Sequence, residues 1–596
     1  MKQREPNNKR RLVSLIASVC MLATMSGSSV LADPHGHGPG GGGGGYHNQI
    51  QHVLLISVDG MHALDYLNCS ANGTCPNLTA LGTTGINYIN TSTSKPSDSF
   101  PGLMALMTGG TPRTMGVNYD VAFDRALNPP LNATGNGLPA GPCTPGSAIG
   151  TTTEFDEGIN INIPGINSQM FLNGGAPSGD GGVNSIDPTR LERDTNCNPV
   201  YPWNFVRDNT IYGVIHAARG YTAWSDKHPS YSAVGGPTGT STDTNVDDYY
   251  SPEINSNSQN FAVAAPPQLV IPECTKAGKP FLPDQFAVAA ADDYTGSFQN
   301  IQCYDGLKVS AILNEIKGMN HDGTAHAPVP NIFGMNFQAV SIGQKLIYKD
   351  GPTVPAPYTL TGGYTDSIGT PTGSLLQEIE FVDSSIGSMV SELKAQHLID
   401  STLVIITAKH GQSPVDSSRY KPNGSPDDPA SILSTFLAPS ENSAIGPTED
   451  DVALLWLQIP ADTATAVSTL ELASLVSDNI AGIGEIFSGP SIDLYWNIGD
   501  SRTPDILIIP NIGVTYSNSG KKLAEHGGFA HDDVNVIMLV SNPSFKAGTN
   551  TLPVETRQVA PTILKALGLD PYALQAVQTE GTQVLPGVPL DNDDNH

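Results

Sequence analysis

Two short apolar runs fix the kind of sheet this chain can build. Residues 52–60 read HVLLISVDG and residues 402–411 read TLVIITAKHG. Neither alternates polar with apolar, so each is expected to be a strand buried on both faces, as parallel strands under helices are. Polar chemistry gathers at their carboxyl ends: Asp59 in the first, Lys409 and His410 in the second. In open α/β sheets that edge is where ligands are held.

A third stretch, KPSDSFPGLMALMTGGTPRTMG at 95–116, places Ser99 just ahead of Pro101 and of a helix expected over 102–108. Pro near the start and Gly109-Gly110 after the end are the usual punctuation of a helix. A serine there can simply cap the helix. It can also sit where a helix N-terminus favours negative charge, on an alkoxide or a bound phosphate.

The remaining periodic segments complete an α/β pattern. Strands are expected at 331–343 (NIFGMNFQAVSIG), 505–510 (DILIIP) and 535–541 (NVIMLVS). A helix is expected over 373–396, through Leu376, Ile379, Val382, Ile386 and Val390, and a closing helix over 554–569. Alternating strands and helices imply a sheet covered on both faces. Residues 131–330 are rich in Gly and Pro and poor in periodicity, and are expected as an insertion beside the core. Within it, 211–231 reads as helix, short strand and loop; Asp226, Lys227 and His228 follow the strand and are expected to approach substrate.

The start of the chain reads as an export signal: five basic residues up to Arg11, an apolar stretch from Leu12 to Val30, and small residues to Ala32. The expected organisation is a signal at 1–32, a Gly/His-rich linker at 33–49 in which His35 and His37 read as flexible linker rather than as weak metal ligands, a core at 50–130 and 331–575, the insertion, and a tail at 576–596. The signal carries a net charge of +4, so its removal takes the chain from −28 to −32. Such a surface should repel nucleic acid and anionic membranes, and no anchor remains after cleavage. Removal also discards Cys20 and leaves six cysteines. In an exported protein these read as disulfides, with Cys69–Cys75, Cys143–Cys197 and Cys274–Cys303 expected and connectivity open from sequence. Glu154, Asp156 and Glu157 form an acidic cluster whose default reading is a solvated loop.

In their order, VDG, SFPG followed by TGGTPRTMGV, KHG, and EHGG at 525–528 resemble the alkaline phosphatase superfamily, most closely its type I phosphodiesterase/nucleotide pyrophosphatase branch. The resemblance implies an alkaline-phosphatase-like three-layer α/β/α core. With the secreted or periplasmic location that the export signal implies, it points to a hydrolase in which zinc, one or two ions, flanks a serine nucleophile and a phospho-enzyme forms. It makes Ser99 the nucleophile and a ligand, and Asp59, His410 and His526 metal ligands.

The resemblance breaks at three positions. Lys409 stands where the family has aspartate. The expected Asp-x-x-x-His pair reads Val340-Ser341-Ile342-Gly343-Gln344, so Gln344 occupies a ligand position. The alternative is Asp366, in DSIGT, which keeps the acid without the histidine and is preferred because an anionic ligand suits the cation better. Lys409 is expected to replace part of a metal's charge and so to act catalytically. A phosphodiester of small size is the expected substrate. Sulfate or phosphonate ester hydrolysis on the same fold, or a metal-depleted pseudoenzyme that binds an anion, are the alternatives.

Overall fold

The computed structural model describes residues 50–590, apart from 135–137, 155–182, 184–185, 243, 253, 255–293, 348–358, 440–447, 476–480 and 518–521. The expected signal, the linker, Asp156, Glu157, Cys274 and the last six residues of the tail therefore lie outside the described residues.

The main sheet takes its strands from both ends of the chain. They are β1 (His52–Val58), β2 (Gly85–Tyr88), β3 (Ala223–Ser225), β4 (Asp248–Tyr250), β5 (Ile332–Phe337) and β6 (Thr402–Thr407). A second, smaller sheet follows, from β7 (Thr448–Glu449), β8 (Ala453–Leu455), β9 (Ile483–Ser488) and β10 (Ile506–Pro510). The chain then returns to the main sheet through β11 (Leu539–Ser541) and β12 (Gly548–Asn550). The main sheet runs in the order β12-β2-β11-β6-β1-β5-β3-β4. Its pairings are parallel except those of β11, which lies antiparallel to β2 and to β6.

Alternation along β1 sorts its side chains to two cores. Leu54, Ile56 and Val58 face a layer containing α2 (Pro76–Gly82), α4 (Phe298–Ile316), α5 (Ala339–Lys345) and α6 (Gly373–Ala395). Val53 and Leu55 face α3 (Ser99–Thr108) and α7 (Val559–Ala566). A sheet covered on both faces by helices is the three-layer α/β/α core expected from sequence, and it explains why β1 and β6 are apolar throughout.

Three expectations change. The stretch 131–330 is not merely set beside the core: β3 and β4 extend the main sheet, and α4 covers one of its faces. The strand at 505–510 pairs antiparallel in the smaller sheet, whose order is β7-β8-β10-β9. The apolar run at 331–343 splits into β5 and, after Gln338, helix α5.

Disulfides join Cys69 to Cys75 and Cys143 to Cys197, and Cys303 is also disulfide-bonded. Among the described residues no helix is long and apolar enough to cross a membrane.

Candidate active site

The carboxyl ends of β1, β3, β5 and β6 meet at one edge of the sheet, as parallel strands require. Each delivers a polar side chain there: Asp59 after β1, Asp226 and Lys227 after β3, Gln338 after β5, and Lys409 and His410 after β6. Ser99 arrives from the covering layer. It is the first residue of α3, with Asp98 in the capping position that sequence reasoning offered to Ser99 itself.

Asp59 is fully enclosed and heavily served. Its Oδ2 accepts from Asn336 Nδ2 at 3.1 Å and from Gln338 Nε2 at 2.6 Å. The same oxygen lies 3.4 Å from Lys409 Nζ and 3.5 Å from His410 Nε2. Burial alone would raise this carboxyl, but the Lys409 ammonium and His410 override it and hold it well below the usual carboxylate range.

Lys409 has no solvent exposure. Its Nζ lies between Asp59 and Asp226, 3.6 Å from Asp226 Oδ1, yet it makes no hydrogen bond. Asp226 is itself fixed: Trp224 Nε1 donates to Oδ2 at 3.0 Å and the Lys227 backbone N–H donates to Oδ1 at 2.8 Å. Lys227, half-buried, donates from Nζ to Ser99 Oγ at 3.2 Å. Both ammonium groups lie over the ring of Tyr231, Lys409 at 4.6 Å and Lys227 at 5.4 Å from its centroid. Each cation–ring contact of this kind is worth about 0.5–2 kcal/mol. His228, the third member of the expected substrate loop, stacks on Tyr231.

His410 and His526 lie ring to ring, with centroids 3.9 Å apart. Burial lowers both below the usual imidazole range, and His526 falls well below it, with His410 adding to the effect. His526 Nδ1 stands 3.5 Å from Asp98 Oδ1. Asp98 accepts the Asp120 backbone N–H at 2.8 Å, and the two carboxyl groups compete for charge. Burial and the neighbouring Asp98 push Asp120 up to about 8.

The structure therefore assembles Asp59, Ser99, Asp226, Lys227, Lys409, His410 and His526, and it leaves Asp366 out. Asp366 is on the surface, its Oδ1 accepting from the Ile368 and Thr370 backbone in a turn that Asn68 holds against α1 (Ala63–Asn72). A carboxylate satisfied by its own turn is poorly placed to leave it. Gln344, the other match, is buried and donates to Gly60 O and to Tyr364 Oη, both at 2.8 Å. Sequence reasoning missed Asn336, Gln338, Asp98, Asp120 and Tyr231. For Asn336 and Gln338 a signal existed: polar residues at alternate positions closing an apolar strand.

The donors do not fit a pair of divalent ions. Among the described residues no three His, Cys, Asp or Glu side chains converge to hold a metal. The carboxylates next to the two histidines already face ammonium groups. Asp59 faces Lys409; Glu525, adjacent to His526 in the chain, has Lys345 at 3.3 Å and Lys522 at 2.5 Å. Burial would raise Glu525, but these lysines draw it down to about 2. A unit charge and a divalent ion about 4 Å apart repel by about 8 kcal/mol at an effective dielectric near 20. That exceeds what a neutral glutamine in a ligand position can offset. The zinc expected from the resemblance, one ion or two, thus meets ammonium groups where it needs ligands.

The family model for type I phosphodiesterase / nucleotide pyrophosphatase matches residues 53–142 and 363–531. A comparison with curated proteins returns no match. Among solved structures, murine ectonucleotide pyrophosphatase/phosphodiesterase 5 is similar at 14% identity, covering 87% of this chain and 95% of that one with a TM-score of 0.48. An inactive variant of that murine protein in complex with AMP gives 14% identity, the same coverages and 0.46. The human protein gives 13%, 87% and 95%, and 0.44. The two stretches that the family model matches are those that carry Asp59 and Ser99, and Lys409, His410 and His526. Over these two stretches the chain is similar to the type I phosphodiesterase / nucleotide pyrophosphatase family.

Proposed function

We propose that this chain is an exported phosphoric ester hydrolase of phosphodiesterase type that works through a phosphoserine on Ser99. The match to the family model supports the hydrolase class. The observation that carries the rest is Ser99 Oγ at the first position of α3, in contact with the Lys227 ammonium beside the edge where Asp59 and His410 meet. A cation at this distance favours the alkoxide, and the α3 N-terminus favours the phosphate oxygens.

The chemistry balances without a further reactant. Ser99 Oγ attacks phosphorus, the Ser–O–P bond forms, the bond to the leaving alcohol breaks, and the serine proton ends on that alcohol. Water then attacks the phosphoserine, releasing the phosphate monoester and restoring the hydroxyl. Ser99, Asp59 and Lys409 are enclosed, whereas Lys227 and His526 are partly exposed. Substrate thus enters past Lys227. Three disulfide-bonded segments support a secreted or periplasmic setting. The net charge of −28 supports a small phosphate ester over a polyanion.

The test is turnover of bis(4-nitrophenyl) phosphate, 4-nitrophenyl phosphate, 4-nitrophenyl sulfate and a phenylphosphonate ester by the wild type and Ser99→Ala. The diester should be preferred and the variant should be inactive. Preference for the sulfate would move the activity to sulfate esters. Phosphate binding with no turnover of any of them would make the chain a binder.

A further inference from the structure

The residues that repel a divalent ion are themselves a place for a phosphate. We propose that the site holds the substrate phosphate between two lysine ammonium groups, Lys227 and Lys409, and that it works without a divalent cation. This deepens the hydrolase reading and rests on it.

The geometry of the two lysines is built rather than incidental. They come from different strands, β3 and β6, and converge over one aromatic ring. Asp226 joins them: its Oδ1 accepts the backbone N–H of Lys227 and lies 3.6 Å from Lys409 Nζ. Trp224 locks the other oxygen of Asp226, so the carboxylate cannot turn away. Lys409 is completely buried, and its Nζ spends none of its donors on a hydrogen bond. Two carboxylates offset its charge, but its donors stay unspent until an acceptor arrives. Lys227 already reaches the atom that would attack phosphorus. An anionic phosphate beside Ser99 would give the Lys409 donors an acceptor, and the attacking oxygen would share the cationic field of both lysines.

This arrangement does what an ion would do for binding and for charge in the transition state, using fixed side chains. The backbone carbonyl of Lys409 accepts from Thr93. The Lys409 ammonium is held between Asp59 and Asp226, while Lys227 is the partly exposed one of the two. The two differ in place: Lys227 touches the reacting oxygen, and Lys409 lies between Asp59 and Asp226.

Two measurements on the full chain test the proposal. The first is binding of inorganic phosphate by calorimetry and turnover of bis(4-nitrophenyl) phosphate, before and after exhaustive treatment with 1,10-phenanthroline and EDTA, with metal content measured on the same samples. Treated protein should be free of transition metal and unchanged in both. Loss of phosphate binding on treatment and recovery with zinc would overturn the proposal, while leaving the hydrolase reading in place.

The second is Lys227→Met and Lys409→Met in treated protein, each of which should weaken phosphate binding by about tenfold to a hundredfold. Lys227→Arg should recover most of the lost binding. Lys409→Met risks the fold because it strands two buried carboxylates, so Lys227→Met, at a half-exposed position, decides. Wild-type phosphate affinity in Lys227→Met would contradict the proposal. Retained turnover in Ser99→Ala would instead sink the phosphoserine reading, and the calorimetry would still report on the lysines.

Discussion

The backbone of Gly102 rests directly on the carbonyl of Lys409: a Cβ at residue 102 would overlap that oxygen. Helix α3 can come this close to the end of β6 only because the residue one turn into the helix has no side chain. That approach brings Ser99 to the sheet edge.

Gly102→Ala should therefore push α3 away from β6. Overpacking against backbone costs about 3 kcal/mol. Turnover should fall by more than the loss of folded protein explains, because Ser99 rides on the displaced turn. Chemical denaturation and kcat on the same preparation separate the two effects. Full activity at normal stability would mean that α3 is not seated as described.

The sequence was most legible where one element carries its own evidence. Residues 52–60 and 402–411 announced buried strands with polar ends, and Ser99 sat at a helix start marked by Pro101 and Gly109. Convergence of separate segments was less legible. Nothing local ties Tyr231 to Lys409 or Asp120 to Asp98, since those contacts exist only after the layers have packed. Apolar runs also say little about partners. DILIIP is as hydrophobic as a core strand but found β8 and β9 in the smaller sheet. At Asp366 the chemical preference for an acid took no account of the turn at 366–370, which engages that acid locally.

That difference gives a paired prediction. Asp366→Asn should leave turnover unchanged. Gln344→Leu should lower stability by about 2 kcal/mol, by removing the donor to Gly60 O and Tyr364 Oη next to Asp59. The check is kcat/KM and urea midpoints for both variants. A large loss of activity in Asp366→Asn would return Asp366 to the site.

His62 makes stability depend on pH on the alkaline side. Burial opposes its charge, but Asp65, 3.0 Å from Nδ1, and the Gln412 carbonyl, 3.0 Å from Nε2, raise its pKa to about 9. The folded state thus holds this proton more tightly than the unfolded chain. The contribution, about 3 kcal/mol, is fully present below about pH 6.5 and is lost as pH rises through about 9. Urea unfolding across that window should show the decline in the wild type and a flatter curve in His62→Gln. Parallel curves would remove His62 as the cause.

The disulfide between Cys143 and Cys197 spans a sequence separation of 54. Closing a loop of that size stabilises by about 4 kcal/mol in the chain-entropy model. The double variant Cys143→Ser, Cys197→Ser should lose about that much. Denatured, unreduced wild type should show almost no reactive thiol once the segment containing Cys20 is gone. An unchanged unfolding free energy in the double variant would mean that this loop is ordered without its bridge.

The central claim is that Ser99 carries the phosphoryl group. The most direct measurement is intact-protein and peptide mass spectrometry after acid quench of wild type turning over bis(4-nitrophenyl) phosphate. A 4-nitrophenyl phosphoryl adduct should appear on the peptide containing Ser99, form within the first turnover, and be absent in Ser99→Ala. Steady turnover by Ser99→Ala, with no adduct on the wild-type peptide, would contradict it.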